Sequence, residues 1–271
     1  SVPSNGIWKD ESMILPGLQK SPIIGRKVIL LDQVESTNSL VKQWALAGEE
    51  EGLTVIAKEQ SAGRGRWHRV WFSPGESGLY LSILLRPGLT AADSGALSVM
   101  LSLAAVKAIR SAARLRVTIK WPNDILFEGR KLCGILVENH LIGGLLTFAA
   151  AGIGLNVNQE IADFPLGLRL KSTSLRIAAG RPVEMDLVTI SLLRHLNLLY
   201  PRLHDMKMRH KWVRVWQQHC GHMQQPVTVS RGTERMEGLF RGINSSGAAL
   251  VELETGETHQ LESGEFSLRE K

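Results

Sequence analysis

A short loop rich in glycine and arginine separates two segments that favour β-strands, 53–57 and 78–85. It runs from Gln60 to Trp71, and two glycines within it, Gly63 and Gly65, let the backbone adopt positive φ angles and approach a ligand closely. The charged side chains of the loop are Arg64, Arg66 and Arg69. Guanidinium groups donate in a planar fork that suits carboxylate and phosphate oxygens. The loop predicts an anion site between two strands, although a solvated basic loop or a nucleic-acid patch has the same composition.

Four further polar blocks accompany this loop. They are Glu35-Ser-Thr-Asn38, Lys120-Trp-Pro-Asn-Asp124, Lys131-Leu-Cys-Gly-Ile-Leu-Val-Glu138 and Gly152-Ile-Gly-Leu-Asn156-Val-Asn158. In this order, the five blocks closely resemble biotin protein ligases, the enzymes that activate biotin as its adenylate and attach it to a carrier lysine. The resemblance runs from about residue 28 to the C-terminus, and the combination is far more specific than any single block.

Bulk properties exclude several classes of protein. The 271 residues can form one large domain, or a large and a small one, and a hydrophobic content of 44% supports a core of ordinary size. There is no run of 18 apolar residues and no export leader, so we expect no membrane association. Two cysteines fit a reducing compartment, which predicts a cytoplasmic protein, and Cys133 is interpreted as a core residue rather than a nucleophile. The net charge of +6 permits a polyanionic partner, and we favour ATP and an acidic protein.

Hydrophobic periodicity and turn residues predict the elements. The predicted strands are 27–34, 53–58, 78–85, 117–120, 132–138 and 144–157. The predicted helices are 36–48, capped by Ser36 and Thr37, then 91–113, then one that Asp186 caps and Pro201 ends, and finally 207–219. Residues 159–185 are expected to be irregular. From Gly221 onward, short alternating runs punctuated by glycines predict a small β-barrel.

The predicted domains are a leader or linker (1–27), a catalytic domain that binds biotin and ATP (28–220), and a C-terminal domain (221–271). The resemblance implies an α/β (α+β) fold. It consists of a catalytic domain like that of class II aminoacyl-tRNA synthetases, with a mixed, largely antiparallel sheet, followed by an SH3-like barrel. It also implies the bacterial type that lacks an N-terminal helix-turn-helix, so no DNA partner is expected.

The chemistry of biotin explains why these residue types suit it. Its neutral ureido head requires hydrogen-bonding partners, because an unsatisfied buried polar group costs about 1–3 kcal/mol. Ser36, Thr37 and Gln60 offer compact hydroxyl and amide groups for that head. Activation of the biotin carboxylate by attack on the α-phosphate of ATP gathers negative charge, which arginines and Lys131 would neutralise. Asp124 is a candidate base or orienting group for the acceptor lysine.

The resemblance assigns further residues to these sites. Those implied to bind biotin are Ser36, Thr37, Asn38, Gln60, Gly63, Arg64, Gly65, Arg66, Lys131, Gly134 and Gly152. Those implied to bind ATP are Arg66, Arg69, Trp71, Lys120, Asn123, Asp124, Lys131, Asn156, Glu265 and Arg269. The implied catalytic residues are Lys131, Arg66 and Asp124. Mg²⁺ is expected to accompany ATP, and no protein metal site is expected.

Simpler structural roles are open for several of these residues. Ser36 and Thr37 can be plain helix caps, Asn123 and Asp124 can form an Asx turn, and Lys131 can be a charge that flanks a buried strand. The chain also departs from the family at the end of the arginine loop. The family usually reads Gly-Arg-Gly-Arg-Arg-Gly, whereas this chain has Trp67 and His68 in the last two places.

The resemblance implies a biotin carboxyl carrier protein, a subunit of acetyl-CoA carboxylase, as the partner, and a weak or ligand-promoted homodimer. A lipoate or octanoate ligase of the same fold is the alternative function, although its characteristic arginine- and histidine-containing block is not found. A biotin sensor that regulates transcription would need a DNA-binding domain. A generic nucleotide-binding module would need a P-loop or a Rossmann glycine pattern, and neither occurs.

Overall fold

The computed structural model describes residues 23–231, 234–262 and 267–270, the last of these without side chains. Seven strands form the first sheet: β1 (Lys27–Val34), β2 (Leu53–Gln60), β3 (Gly78–Leu85), β4 (Thr118–Lys120), β5 (Asp124–Phe127), β6 (Arg130–Ile142) and β7 (Leu145–Asn156). Five strands form the second: β8 (Pro226–Arg231), β9 (Glu234–Ile243), β10 (Ala249–Glu252), β11 (Thr258–Leu261) and β12 (Ser267–Glu270). The helices are α1 (Thr37–Leu46), α2 (Gly95–Ala113), α3 (Leu175–Ala179), α4 (Met185–Leu199) and α5 (Met206–His219), with short 3₁₀ turns at Arg66–His68, Ile161–Asp163 and Tyr200–Arg202.

The first sheet is mixed and largely antiparallel, as the sequence predicted. Its strand order is β1-β2-β3-β7-β6-β5-β4, and among these neighbours only β1 and β2 run parallel. The second sheet is antiparallel throughout, with the order β11-β10-β9-β8-β12. Closure of this second sheet into an SH3-like barrel stays a prediction.

The two faces of the large sheet have different functions because side chains alternate along each strand. On β3, the odd positions Leu79, Leu81 and Ile83 join the main core beneath α2. Even positions such as Tyr80 and Ser82 are buried on the opposite face, on which α1 lies. This opposite face also carries the candidate site described below.

α2 is the central helix of the main core. Thirteen of its 19 residues are buried, and it packs against α4 and α5. Within the described part of the chain it is the one helix long and apolar enough to cross a membrane, with a mean hydropathy of 1.5, but 72% of that window is buried inside the protein. The apolar composition of α2 is therefore explained by its position in the core.

The second sheet is attached to the first through hydrogen bonds and a shared core. The amide of Gly221 donates to Ile119 O at 3.1 Å, and the Trp121 indole donates to Gly247 O at 3.1 Å. Apolar residues of both sheets belong to one continuous core, in which Phe240 of β9 and Trp216 of α5 are included. The division of the chain at residues 220 and 221 into two domains therefore stays a prediction.

Three local predictions were wrong. Asp186 does not cap α4, which begins one residue earlier; Glu184 occupies the cap position without a side-chain bond, and Asp186 lies in the first turn, where its charge favours the helix dipole. The region 159–185 is not wholly irregular, because Ser174 caps the short helix α3 through the amide of Ile177. Strand β5 was also missed, since four residues carry too little periodicity. Most of the predicted leader lies outside the described residues.

His222 is a fully buried histidine in the turn that follows α5. Neither ring nitrogen has a hydrogen-bond partner within the described part of the chain, and the ring meets Phe240 edge-on at 4.3 Å between centroids. Burial, followed by the nearby charge of Lys120, lowers the pKa of His222 from 6.5 to about 4. The folded protein therefore binds this proton more weakly than the unfolded chain does.

This difference predicts an acid-sensitive fold. Above pH 6.5 the histidine is neutral in both states, and as pH falls from 6.5 to about 4 the unfolded state gains a proton first, so the folded state loses about 3 kcal/mol. His222→Leu should remove that part of the pH dependence. Urea unfolding of both proteins across this range tests the prediction, and equal slopes of stability against pH would contradict it.

Candidate active site

A cleft with a cavity volume of about 300 Å³ opens on the face of the large sheet that α1 covers. It brings together residues from all five polar blocks. The sequence-predicted residues that line it are Ser36, Thr37, Asn38, Gln60, Arg64, Gly65, Arg66, Arg69, Trp71, Lys120, Asn123, Asp124, Lys131, Gly134, Gly152 and Asn156. Gly63 is not among the lining residues, and a Cβ added to it would come within 2.5 Å of Trp71 O. Glu265 and the side chain of Arg269 lie outside the described residues.

One end of the cleft carries neutral hydrogen-bonding groups at the start of α1. Ser36 caps this helix, since its Oγ accepts from the Ser39 amide at 3.4 Å. Gln60 Oε1 accepts from the amide of Thr37 at 2.9 Å, and Gln60 Nε2 donates to Ser73 Oγ at 2.9 Å. These contacts place hydroxyl groups at a helix N-terminus, which suits a polar but uncharged ligand head.

Ser82 is a residue of this neutral end that the sequence analysis missed. It is fully buried on β3, and its Oγ lies 2.7 Å from Thr37 Oγ1 and 2.6 Å from Asn38 Oδ1. A serine within the otherwise apolar segment Gly78–Leu85 was the available signal. The cleft is also lined by Tyr80, Phe164 and Leu168, which the sequence analysis did not select.

Glycines on β6 and β7 form the floor of the cleft. A Cβ on Gly152 would overlap the side-chain oxygen of Asn38. A Cβ on Gly134 would come within 2.8 Å of the Trp71 ring, and one on Gly154 within 2.5 Å. The absence of side chains at these three positions therefore lets Asn38 and Trp71 lie directly on the sheet.

The arginine loop folds as a narrow hairpin over the cleft, called here the arginine hairpin (63–71). The Trp71 amide donates to Gly63 O at 2.9 Å, and the Gly65 amide donates to Arg69 O at 2.7 Å. At its tip, Trp67 and His68 have φ angles of 59° and 57°, a left-handed conformation that costs a non-glycine residue about 1–2 kcal/mol. The tip is therefore strained at both residues, and His68 stands where the family loop usually has a glycine.

The opposite end of the cleft is cationic. The Lys131 ammonium lies 2.7 Å from Asp124 Oδ1 and 5.2 Å from the centroid of the Trp71 ring. Burial lowers the pKa of Arg66 to about 10, an effect that the Asp124 charge opposes and the Arg69 charge increases, so Arg66 stays protonated at neutral pH. The Arg66 guanidinium also lies 5.5 Å from the centroid of the Trp67 ring, within cation–π range. This end suits an anion.

A β-bulge directs Lys131 into the cleft. In the pairing of β5 with β6, Ile125 faces Cys133 and Leu126 faces Lys131, so Leu132 is the extra residue. Leu132 and Cys133 are consecutive, yet both are buried in the core beneath α2. Without the bulge, strict alternation would turn Lys131 toward that core as well. The sequence could not reveal this geometry, although it predicted that Lys131 lines a site.

The two asparagines of the predicted ATP site hold the chain around the cleft. Asn123 Nδ2 donates to Ile135 O at 2.7 Å, and Asn156 Nδ2 donates to Thr173 O at 2.9 Å. Cys133 is in the core, and burial raises the pKa of its thiol to about 12, which agrees with its interpretation as a structural residue. The described residues contain no cluster of three or more histidine, cysteine or acidic side chains that could hold a metal ion.

Comparisons with known proteins agree with this geometry. Residues 30–156 match the family model described as the biotin/lipoate A/B protein ligase family, and residues 222–269 match the one described as the biotin protein ligase C terminal domain. The bifunctional ligase/repressor BirA of Bacillus spizizenii is 32% identical over 249 residues, which cover 91% of this chain and 75% of the relative.

Two further similarities extend the comparison. The biotin–[acetyl-CoA-carboxylase] ligase of Paracoccus denitrificans is 30% identical over 234 residues, 82% of this chain and 92% of the relative. A structure of the biotin protein ligase from Aquifex aeolicus in complex with biotin and ATP matches with a TM-score of 0.78 at 28% identity, over 90% of this chain and 99% of that one. With these similarities and one family model over each of its sheets, the chain belongs to the biotin protein ligase family.

Proposed function

We propose that this protein forms biotinyl-5′-AMP from biotin and ATP and transfers the biotinyl group to a lysine of a biotin carboxyl carrier protein. The observation that carries this proposal is the polarity of one cleft, with neutral hydrogen-bonding groups at one end and cations, including the partly buried Arg66, at the other. Biotin has the same polarity, with a neutral ureido head, an apolar middle and a carboxylate. The ATP and biotin complex of the Aquifex aeolicus relative supports the same pair of substrates.

In the first half-reaction, a biotin carboxylate oxygen attacks the α-phosphate of ATP and pyrophosphate leaves. Negative charge grows on the phosphate oxygens in the transition state, and Lys131, Arg66 and Arg69 line the cleft where they would meet it. No covalent enzyme intermediate is required, which agrees with a neutral Cys133 thiol. Asp124 orients Lys131 through their 2.7 Å ion pair.

Mg²⁺ enters the proposal with its substrate, as the magnesium complex of ATP. Mg²⁺ keeps several waters and takes one or two protein carboxylates beside substrate phosphates. Among the described residues that line the cleft, Asp124 is the single carboxylate, so the protein itself offers little for a resident ion. The cation supplies charge neutralisation at the phosphates when it is bound.

The second half-reaction transfers the biotinyl group to the acceptor amine. A lysine has a pKa near about 10.4 and must lose a proton before it attacks the acyl carbon. We assign Asp124 as the group that receives or orients that proton, since the other ionisable side chains lining the described cleft are cations and one tyrosine. AMP is the leaving group, and Lys131 stabilises the developing oxyanion.

The arginine hairpin serves as the cover over the adenylate. A mixed anhydride is destroyed by water, so exclusion of solvent keeps the intermediate for the acceptor. Seven residues of the hairpin line the cleft, among them Arg66 and Trp67. The names of the relatives support an acetyl-CoA carboxylase carrier as the acceptor. A cytoplasmic location and a ligand-promoted homodimer complete the proposal as predictions.

A lipoate or octanoate ligase is the second candidate, because the catalytic family model includes lipoate ligases. The match of residues 222–269 to a C-terminal domain of biotin protein ligases favours biotin. Isothermal calorimetry with biotin, lipoate and octanoate tests the choice. We expect binding of biotin alone, and tighter binding of lipoate than of biotin would overturn the proposed substrate.

Lys131→Ala should reduce biotin-dependent pyrophosphate release by about 10²–10³-fold while changing biotin affinity only a few-fold, since the ammonium meets charge that grows in the transition state. Lys58→Ala is the matched control. Lys58 lies on β2 in exposed ion pairs with Asp32 and Glu76. Near-normal pyrophosphate release by Lys131→Ala would mean that Lys131 is only a flanking charge.

Arg66→Gly should leave adenylate synthesis measurable and let the intermediate escape, because Arg66 belongs to the covering hairpin. Escaped adenylate would then biotinylate lysines of serum albumin added to the reaction. Arg181→Gly, a change at an exposed loop arginine, is the control and should label albumin no more than the wild type does. If Arg66→Gly releases no pyrophosphate and labels no albumin, Arg66 acts in activation itself and not in retention.

A further inference from the structure

We propose that Glu138 is a positioning residue that latches the arginine hairpin to α1 and to the floor of the cleft, and so controls how long the adenylate is retained. This inference rests on the proposed function. Glu138 lies on β6, outside the residues that line the cleft. It therefore acts on the ligand through the side chains it holds.

The carboxylate of Glu138 binds three side chains, two from α1 and one from the arginine hairpin. Its Oε2 accepts from Asn38 Nδ2 at 3.0 Å, and its Oε1 lies 3.0 Å from Lys42 Nζ and 3.2 Å from Arg64 Nη2. The side chain of Glu138 is 16% exposed, so these charge-assisted contacts are only partly hydrated. A single carboxylate thus connects β6, α1 and the hairpin.

The bond to Asn38 reaches the floor and the neutral end of the cleft. A carboxylate only accepts hydrogen bonds, so the Asn38 amide must turn its nitrogen toward Glu138. Its oxygen then lies above Gly152 and within 2.6 Å of Ser82 Oγ. Ser82 in turn contacts Thr37 at 2.7 Å. Glu138 is therefore tied to the groups that we assign to the biotin head.

The bond to Arg64 reaches the hairpin at its first arm. Arg64 pairs with Val70 across the hairpin through an isolated β-bridge, and its guanidinium also donates to Ser39 Oγ of α1 at 3.3 Å. Arg66 lies two positions farther along the hairpin and forms part of the cationic end of the cleft. Release of Arg64 from Glu138 would free this arm without removing any of the cations that line the cleft.

The strained tip makes such a latch necessary. Trp67 and His68 both adopt left-handed backbone conformations, which favours rearrangement of the tip unless contacts at the base oppose it. The Arg64–Glu138 pair is one such contact, together with the backbone bond from the Trp71 amide to Gly63 O. Loss of the ion pair should therefore shift the hairpin toward open states.

Adenylate escape is the direct measure of the latch. Enzyme loaded with radiolabelled biotin and ATP is freed of excess substrate by rapid gel filtration, and the loss of bound biotinyl-AMP is followed with serum albumin as trap. We expect Glu138→Gln to release the adenylate about fivefold to tenfold faster than wild type. Single-turnover pyrophosphate release should stay within about twofold, since no cation at the phosphates is changed.

Arg64→Ala removes the other partner and should reproduce this faster escape. The double variant Glu138→Gln/Arg64→Ala should escape no faster than either single variant, because both changes open one contact. Lys42→Gln is the matched control. Lys42 shares the same carboxylate oxygen of Glu138 but lies on α1 and does not touch the hairpin, so its loss should leave escape at the wild-type rate.

The salt dependence of the adenylate escape rate distinguishes the latch from a merely structural role of Glu138. Arg64 is 39% exposed, so high salt should screen its pair with Glu138 and speed adenylate escape in the wild type. In Glu138→Gln the escape rate should respond to salt much less.

Two results would overturn the latch: wild-type retention in Glu138→Gln and Arg64→Ala, or equally fast escape in Lys42→Gln. A wild-type protein without biotin-dependent pyrophosphate release would overturn the proposed function itself, and the latch with it. Arg64→Ala keeps the latch testable if Glu138→Gln does not fold, because Arg64 lies on the surface hairpin.

Discussion

The antiparallel pairing of β6 with β7 is the constraint on which the site depends. It sets Gly134 opposite Gly154 and Leu136 opposite Gly152, and so it aligns the glycines on one face of the sheet. Because successive residues alternate between faces, the residues next to these glycines along each strand, such as Ile135 and Ile153, are buried in the main core. The same two strands thus contribute to the hydrophobic core on one face and form the floor of the cleft on the other.

Charge is distributed unequally along the cleft. At the cationic end, burial and then the charge of Arg69 disfavour the charge of Arg66, and both lower the pKa of Arg66. Asp124 offsets only part of this cost. An anionic ligand at this end would relieve the remainder, so the cost of holding these cations close together favours anion binding. Strain and charge repulsion at a functional site are an expected cost of activity.

The sequence predicted those parts of the structure that local pattern determines. The strand 27–34 and the cap at Ser36 follow from periodicity and turn residues, and the convergence of five separate blocks follows from the family resemblance that they carry. It could not predict features that depend on which strands become neighbours. The bulge at Leu132 exists only in the pairing with β5, and the contacts of Glu138 join residues about 100 positions apart.

The position of Trp71 has an optical consequence. Its ring lies on the glycine floor beside the Lys131 ammonium, and its indole nitrogen is buried with no hydrogen-bond partner in the described part of the protein. Trp67 and Trp121 line the same cleft, so three of the seven tryptophans in the chain surround one small volume. Indole emission responds to nearby charge and polarity. Trp71 is therefore an intrinsic fluorophore at the floor of the cleft, and its fluorescence can report ligand binding without an attached label.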